Sequence, residues 1–341
     1  MAHNIVKAEK WATAAVGLLE RELVLTALVG RDAGAEFTGA RGDTVNIKRP
    51  SLLSGVVEAL RDMQSSGYQI QTEDLDEGSI SVSLQHHIYS AVDLTDAELT
   101  LDIVDFGAQV LAPQTRAIAD RVESLIAAKF NGLTPAFTVS GTPDDLGGGK
   151  IRRAITELRK ILNARSVPMT GRVLVVGVDV EGYLLQDPNL TRASYAGDAS
   201  ALRAAELGNL YGFRVVVSPT IDADRMVALH PSAYTLVTRA PRVPEGAVSG
   251  SSISYAGVAM RALRDYNSAT ARDRSVLSTF VGVGETLDPE ITYDADGAKT
   301  VDMENPTMLR AVAAVIQEDE DPGDPGNGNG NGNGNGDGSD D

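Results

Sequence analysis

"AEFTGARGDTVNIKRP", residues 35–50, decides how the rest of the chain is read. Its second half alternates, with Val45 and Ile47 on one side and Thr44, Asn46 and Lys48 on the other, the pattern of a half-covered strand. Pro50 has no amide hydrogen to donate, so it marks the end of that strand or an edge, not a central position. Upstream, Gly42 permits a positive φ and the Asp43 carboxylate can bond its own backbone two residues on, which makes a turn that launches the strand. The same turn contains Arg41-Gly42-Asp43, a cell-adhesion tripeptide when it sits on an extracellular loop. Motifs this short recur by chance, and the turn accounts for all three residues without a receptor.

Downstream, residues 51–79 are mostly polar and end in "QSSGYQIQTEDLDEGS", after which "SISVSLQHHIY" alternates through Ile80, Val82, Leu84 and His86. Two strands therefore flank a long excursion with little apolar material of its own. A two-stranded hairpin is marginal in water unless one face is covered, so this one is expected to lie on another subunit. His86 and His87 are adjacent, point to opposite faces of a strand and cannot share a metal ion.

Residues 5–29 have the periodicity of a helix, with Trp11, Ala15, Leu18, Leu19, Leu23 and Leu28 on one face and Gly30 as a stop. Thr95-Asp96-Ala97-Glu98 is a capping box that starts a helix. Ile118, Val122, Leu125, Ile126 and Phe130 continue it as an apolar stripe, closed by Asn131-Gly132. Pro113 must kink that helix or occupy the first turn of a second one. From Pro143 a further helix follows, apolar at Ile151, Ile155, Leu158 and Leu162, and the spacing of "DLGGGK" suggests a flexible entry to it. The region 141–250 then reads as an α/β unit: strands at 172–180, "FRVVVSPT" and "RMVALHP", a short helix at "ASALRAAELG", and a helix started by Pro231. "SISYAGVAMRALRDYN", "DRSVLSTFVGVG" and a hairpin turned at Asp294–Gly297 close the ordered part.

Composition narrows the function. With 341 residues, 43% of them hydrophobic, the chain can bury a large core. No run approaches the length of a membrane span, and the N-terminal helix is interrupted by charges, which points to an untargeted cytoplasmic product. The absence of cysteine excludes disulfides and thiolate sites, and four histidines (His3, His86, His87, His230) are too few and too scattered to suggest a metal centre. Eight of the net seventeen negative charges lie in the Asn-Gly tail 318–341, which has no apolar residue to order it, and the rest still carries −9. An acidic body disfavours binding to nucleic-acid phosphates. The Asp and Gly residues of the tail do not make a calcium loop without a twelfth-position Glu or flanking helices. "DLGGGKIRR" lacks the spacing and the Ser/Thr of a phosphate loop, and no nucleophile elbow, zinc-protease motif or kinase set is present. Arg152, Arg153, Arg159, Lys160 and Arg165 make one helix basic, as a solvated face or a contact with an acidic neighbour.

The residues themselves resemble the major capsid proteins of tailed double-stranded DNA bacteriophages, in the short-tailed-phage coat-protein branch. Ala35, Glu36, Phe37, Gly39, Gly42, Asp43, Thr44, Val45, Ile47, Arg49 and Pro50 match that branch's signature. "VDLTDAELTL" with Phe106 and Pro113, "GNLYGFRVVVSPTI", "LHPSAYTLVTRAPRVPEGA" and "SYAGVAMRALRDYN" are similar to later stretches of it, so the resemblance runs over about 5–283. It implies an α+β fold of the Hong Kong 97 type. On that template 1–50 is an N-terminal arm, 51–79 an extended loop, 80–140 a peripheral domain with a spine helix, and 141–250 an α/β axial domain. Residues 251–317 return to the peripheral domain and 318–341 form the tail; there is no room between Ser218 and "MVALHPSAY" for the inserted β-domain of some relatives.

The resemblance further implies a non-enzymatic subunit, without cofactor or metal, that assembles with itself as hexamers and pentamers around DNA. Scaffolding protein, portal and a decoration protein are its implied partners, and no membrane is involved. Lys48, Arg49, Pro50, Tyr68, Glu73, Asp74, Asp76 and Glu77 are the expected intersubunit contacts. An encapsulin-type nanocompartment shares the fold and lacks the 35–50 signature, and an α/β enzyme on 141–250 would need a polar constellation that the sequence does not contain. If Asp43 serves the turn, Asp43→Ala lowers the yield of assembled particles seen by electron microscopy while replacement of Arg41 does not; equal effects would remove the distinction between turn and adhesive motif.

Overall fold

The computed structural model describes residues 15, 23–32, 44–48, 69, 72, 79–98, 105–191, 208–255, 258–289, 291–293, 299–301 and 307–319. In chain order the strands are β1 (Gly30–Asp32), β2 (Thr44–Lys48), β3 (Ser79–Ser83), β4 (His86–Thr95), β5 (Pro135–Gly141), β6 (Val173–Val176), β7 (Asn209–Leu210), β8 (Phe213–Val217) and β9 (Arg225–Leu229). They continue as β10 (Tyr234–Arg239), β11 (Ser249–Tyr255), β12 (Val258–Asn267), β13 (Arg272–Glu285), β14 (Leu287–Asp288), β15 (Ile291–Tyr293), β16 (Lys299–Val301), β17 (Met308–Leu309) and β18 (Ala311–Glu318). Three longer helices are α1 (Ala112–Asn131), α2 (Ile151–Ala164) and α3 (Val178–Gln186).

Strands that are apolar at every position need cover on both faces. β6, residues 226–229 of β9 and residues 311–316 of β18 are such runs, and they lie side by side in a sheet of order β5-β18-β9-β6-β8-β7. Val173, Val175, Val227, Leu229, Ala311 and Ala313 point into one cluster with Ile126 and Phe130 of α1. The alternate residues Leu174, Val176, Met226, Ala228, Val312 and Ala314 point into the other, covered by Ile151, Ile155, Leu158 and Leu162 of α2 and Val180 and Leu184 of α3. Full burial of one such branched side chain contributes about 1.5–3 kcal/mol, so this sheet and its two covers hold much of the stability. β18, a strand that the sequence reading does not single out, inserts here, parallel to β5 and antiparallel to β9. Its "AVAAVI" has no polar residue for a solvated face, which only a central position accommodates.

The second sheet runs β1-β10-β13-β12-β11, with β4 along the other side of β13. β13 is long enough to change partners on one side: residues 272–278 pair with β12 and 280–285 with β10. The changeover is stitched by two buried threonines, Thr238 Oγ1 accepting from the Ala259 amide at 2.8 Å and Thr279 donating to the Ala259 carbonyl at 2.7 Å. β15 and β16 pair across Asp294–Gly297 as the hairpin signal predicts, although the turn itself lies outside the described residues.

The capping box forms as read: Thr95 N and Oγ1 both donate to Glu98 Oε2 at 2.8 Å, and the Glu98 amide donates to Thr95 Oγ1 at 3.3 Å. Pro113 sits in the first turn of α1, where its missing donor costs nothing, and a wide turn at Gly107–Leu111 leads straight into it. Together they make a rod of roughly 37 Å at 1.5 Å per residue. Gly132 caps it at φ −74°, a right-handed conformation rather than the left-handed one a C-terminal glycine suggests.

Two buried side chains fix this rod. Gln114 donates to the Ser90 carbonyl of β4 at 3.2 Å and the Ser275 carbonyl of β13 at 3.0 Å, and accepts from Ser275 Oγ at 2.9 Å. Glu123 accepts from the Leu25 amide at 2.7 Å, the Thr26 amide at 3.1 Å and Thr26 Oγ1 at 3.2 Å. A buried carboxylate is costly without such partners, so Glu123 specifies where the N-terminal segment crosses α1.

Several local expectations change. Leu25–Leu28 is a tight 3-10 turn and Gly30 opens β1 instead of stopping a helix, because β1 pairs in parallel with β10; most of the 5–29 helix lies outside the described residues. "ASALRAAELG" lies outside them as well. Val178 to Val180 begin α3, since Gly177 turns the chain so closely against the Asp222 and Ala223 carbonyls that a Cβ would collide with both. "LGGGK" is a wide turn kinked at buried Gly149, whose φ of 116° is not helical, and it joins the Pro143 turn to α2 in place of a loose linker. Pro231 starts only a single turn; Tyr234–Arg239, rich in Thr and Val, is the strand β10.

β2 and β3 pair from Thr44↔Ser83 to Lys48↔Ser79, as the alternation predicts. The hairpin does not lack support within its own chain. Where β3 crosses the end of β13, Gly282 faces the Ser83 carbonyl and Gly284 faces the Val82 side chain, both too closely for a Cβ. Gly284→Ala should destabilise the unassembled subunit by about 1–3 kcal/mol. Val82→Ala in the same chain should recover much of that, a coupling of about 1 kcal/mol in denaturant melts. Gly282→Ala, which meets backbone, should not be rescued by it.

Candidate functional site

Of the predicted contact residues, Lys48 ends β2, opposite Ser79. Arg49, Pro50, Tyr68, Glu73, Asp74, Asp76 and Glu77 lie outside the described residues, so the structure brings no two of them together. What it does show is the surface at the root of the hairpin that carries them.

β3 passes into β4 through Leu84-Gln85, a break in the continuous strand that the alternation suggests. There the chain opens a cleft of roughly 780 Å³ between the β3–β4 junction and the segment that follows β10. His86, His87, Arg239, Arg242, Ser252 and Phe280 line it, with no Asp or Glu among the described lining residues. His87 packs on Phe280, ring centroids 4.9 Å apart, and on Tyr89 at 5.4 Å. Arg261 donates to the Arg242 carbonyl at 2.8 Å and to Ser278 Oγ at 3.1 Å, which holds the wall of the cleft in place. Partial burial, and secondarily the Arg261 charge, hold the His87 imidazole below its ordinary pKa.

Strand alternation puts Tyr89, Ala91 and Asp93 on the same outward face as His87. Asp93 accepts from Arg274 at 2.5 and 3.0 Å, a fork-to-fork pair across β4 and β13. Those bonds hold its carboxyl below the usual carboxylate range. On the inward face Asp273 pairs with Arg264, whose guanidinium lies 5.0 Å from the centre of the Phe106 ring. Tyr89 is 64% exposed beside the cleft, a large aromatic that the fold leaves in solvent.

On the basic helix Arg153 and Lys160 are exposed, as a solvated face requires, while other basic residues bond within the chain. Arg152 pairs with Asp187 at 3.3 Å, Arg159 donates to the Tyr211 carbonyl at 2.7 Å, and Lys160 pairs with Glu157 at 3.1 Å. Arg165 donates to the Leu309 and Ala311 carbonyls at 2.9 and 3.0 Å. His86 and His87 both line the cleft, and among the described residues no group of three or more His, Asp or Glu could hold a metal ion. Nor is any described helix long and apolar enough to cross a membrane.

Arg239, Arg242, Phe280 and the glycine pair at 282 and 284 escape a sequence reading. The only trace is "VGVGE", where glycines two apart fall on one strand face, a signal of close approach by another backbone.

A second histidine shares the behaviour of His87. His230 Nδ1 accepts from the Ser232 amide at 3.2 Å, and burial, then Arg310 and Arg172, hold its pKa below 6.5. A group whose folded pKa is lowered this way stabilises the fold fully above about pH 6.5 and progressively less as pH falls toward the folded value. Melting temperature of the subunit should therefore drop as pH falls below about 6.5, and His230→Gln should flatten that slope.

The family model described as "Phage capsid protein" matches residues 89–279. Among solved structures, Mycobacterium phage Che8 is similar at 21% identity, with 86% of this chain and 90% of that chain covered and a TM-score of 0.53. The asymmetric unit of the bacteriophage PhiM1 mature capsid is similar at 15% identity, 86% and 87% coverage and a TM-score of 0.54. The capsid of the cyanophage P-SCSP1u is similar at 12% identity, 85% and 86% coverage and a TM-score of 0.54. No curated protein matches the chain.

Proposed function

The chain belongs to the phage capsid protein family and has the α+β fold of the Hong Kong 97 type, and from that premise we propose that it is the major capsid protein of a tailed double-stranded DNA phage of the short-tailed branch. Its work is to close, with copies of itself, the icosahedral shell around the genome. The observation that carries this is the family match through 89–279, which takes in β4 to β13, α1 and most of both sheets. The signature at 35–50 supports the short-tailed branch, and separates a coat protein from a cargo-loading nanocompartment of the same fold.

Assembly by such a subunit needs binding surfaces and no catalytic step. Copies meet as hexamers and pentamers. Each interface is moderate, and closure of the shell multiplies them into a particle that does not come apart. Residues 1–50 act as the arm, 51–79 as the loop laid across a neighbour, 80–140 with 251–317 as the peripheral region, and 141–250 as the axial region. Lys48, Arg49 and Pro50 lead the loop off the body, and Tyr68, Glu73, Asp74, Asp76 and Glu77 make its contacts. Scaffolding protein, portal and a decoration protein are the further partners, with assembly in the host cytoplasm and the virion as destination. The acidic body holds DNA by confinement, with little adhesion.

Expression of the chain alone and together with scaffolding protein, followed by electron microscopy, tests this. Closed shells or ring-shaped capsomers are expected; a subunit that stays monomeric under both conditions would sink the proposal.

A further inference from the structure

We propose that His230 is an acid-sensitive clasp at the crossing between the two sheets: neutral, it ties together the chain segments that pass there, and protonated, it releases them. The clasp belongs to the subunit itself and stands whether or not the chain forms shells.

The first ground is position. The chain leaves the central sheet at Leu229, enters the second sheet at Tyr234, and takes up the central sheet again at Ala311, which pairs with Leu229. The two passages are bonded to each other at His230, whose amide donates to the Arg310 carbonyl at 3.1 Å. A third segment joins them just past β13, where the Thr286 amide donates to the Ala233 carbonyl at 2.8 Å. The Arg310 side chain closes the group, with Nη1 donating to Ser232 Oγ at 2.7 Å and Nη2 to Asp288 Oδ1 at 2.7 Å.

The second ground is the protonation state that these bonds demand. His230 Nδ1 lies 2.7 Å from Ser232 Oγ and 3.2 Å from the Ser232 amide nitrogen. An amide N–H only donates, so Nδ1 must be the bare, accepting nitrogen of a neutral ring. Ser232 Oγ accepts from Arg310, which leaves its own hydrogen for Nδ1. A proton on Nδ1 therefore strips the Ser232 amide of its acceptor. It also adds a third positive charge beside Arg310, at the entry to β18, and Arg172, at the entry to β6. Arg165, just past α2, brings a further cation to the crossing by donating to the carbonyls on either side of Arg310. The carboxylate of the network, Asp288 on β14, already faces the Arg310 guanidinium with both oxygens. Against these, the Thr170 carbonyl accepts from the ring and favours its charged form. Burial and the two arginines outweigh it and hold the imidazole below its ordinary pKa, so the bonded form is the one present at neutral pH.

Hydrogen exchange of the full chain tests the clasp, read by mass spectrometry as pH is lowered in steps from about 7.5 and corrected for the intrinsic pH dependence of exchange. Peptides covering 230–234, 286–288 and 309–311 should lose protection with a midpoint below pH 6.5, by about tenfold at the 230–234 turn, the effect of losing one hydrogen bond. β11 and β12, at the far side of the second sheet, should keep theirs. His230→Asn, whose side-chain oxygen can accept from the Ser232 amide without titrating, should stay protected throughout. His230→Ala should be unprotected at the crossing even at neutral pH. Uniform loss across both sheets, a wild-type crossing unchanged down to the pH at which the whole chain unfolds, acid loosening of His230→Asn like that of wild type, or a protected crossing in His230→Ala would each overturn the clasp. None of these results bears on whether the chain forms shells.

Discussion

Three strands, β6, β9 and β18, must have both faces buried, and most of the other elements are positioned by that requirement. No side of this strip can meet water, so α2 and α3 cover one face and the end of α1, with the second sheet behind it, covers the other. Its backbone groups are paired on both sides for the same reason, since an orphaned donor there would cost as much as a lost hydrogen bond. Polar anchors then choose among the ways of packing these layers. Arg225 ties the start of β9 to the end of α1 by donating to the Leu133 carbonyl at 2.8 Å. Arg310 ties the entry of β18 to Asp288 and to Ser232.

Much of this was legible from the chain. Continuous apolar runs identified β6 and β9, a 3.6-residue stripe identified α1 and α2, and Thr95 with Glu98 announced a helix start that the geometry reproduces atom by atom. What was not legible depended on long-range partners. "AVAAVI" says that a segment is buried on both faces, but nothing local says which sheet takes it, and the strand crosses to the one built from 135–229. "PSAYTLVTRA" has a helix-starting proline and residues that tolerate either state; pairing with β13 and β1 decides for a strand.

The candidate surface shows the same division. The alternation of 44–48 and 79–83 predicts a hairpin, and glycines at 282 and 284 give it somewhere to rest, yet their role emerges only when β3 is seen crossing β13. The basic residues of the 151–165 segment read equally as a solvated face or as a contact with an acidic neighbour, and in the structure Arg159 and Arg165 bond carbonyls of their own chain. The cationic cleft, by contrast, collects residues from 84–87, 239–243, 252 and 280, four stretches that no short sequence window joins.

The place of β18 also bears on the order in which the molecule is made. Its partner strands β5 and β9 lie well over a hundred and about eighty positions upstream, so contacts here are strongly non-local and slow to form. During synthesis β5 and β9 are complete long before the strand that joins them leaves the ribosome. Until then the central sheet has a gap, and the layer that supports both cores is unfinished. Both hydrophobic clusters are therefore completed by the last strand of the sheet, whose residues 311–314 alternate between them.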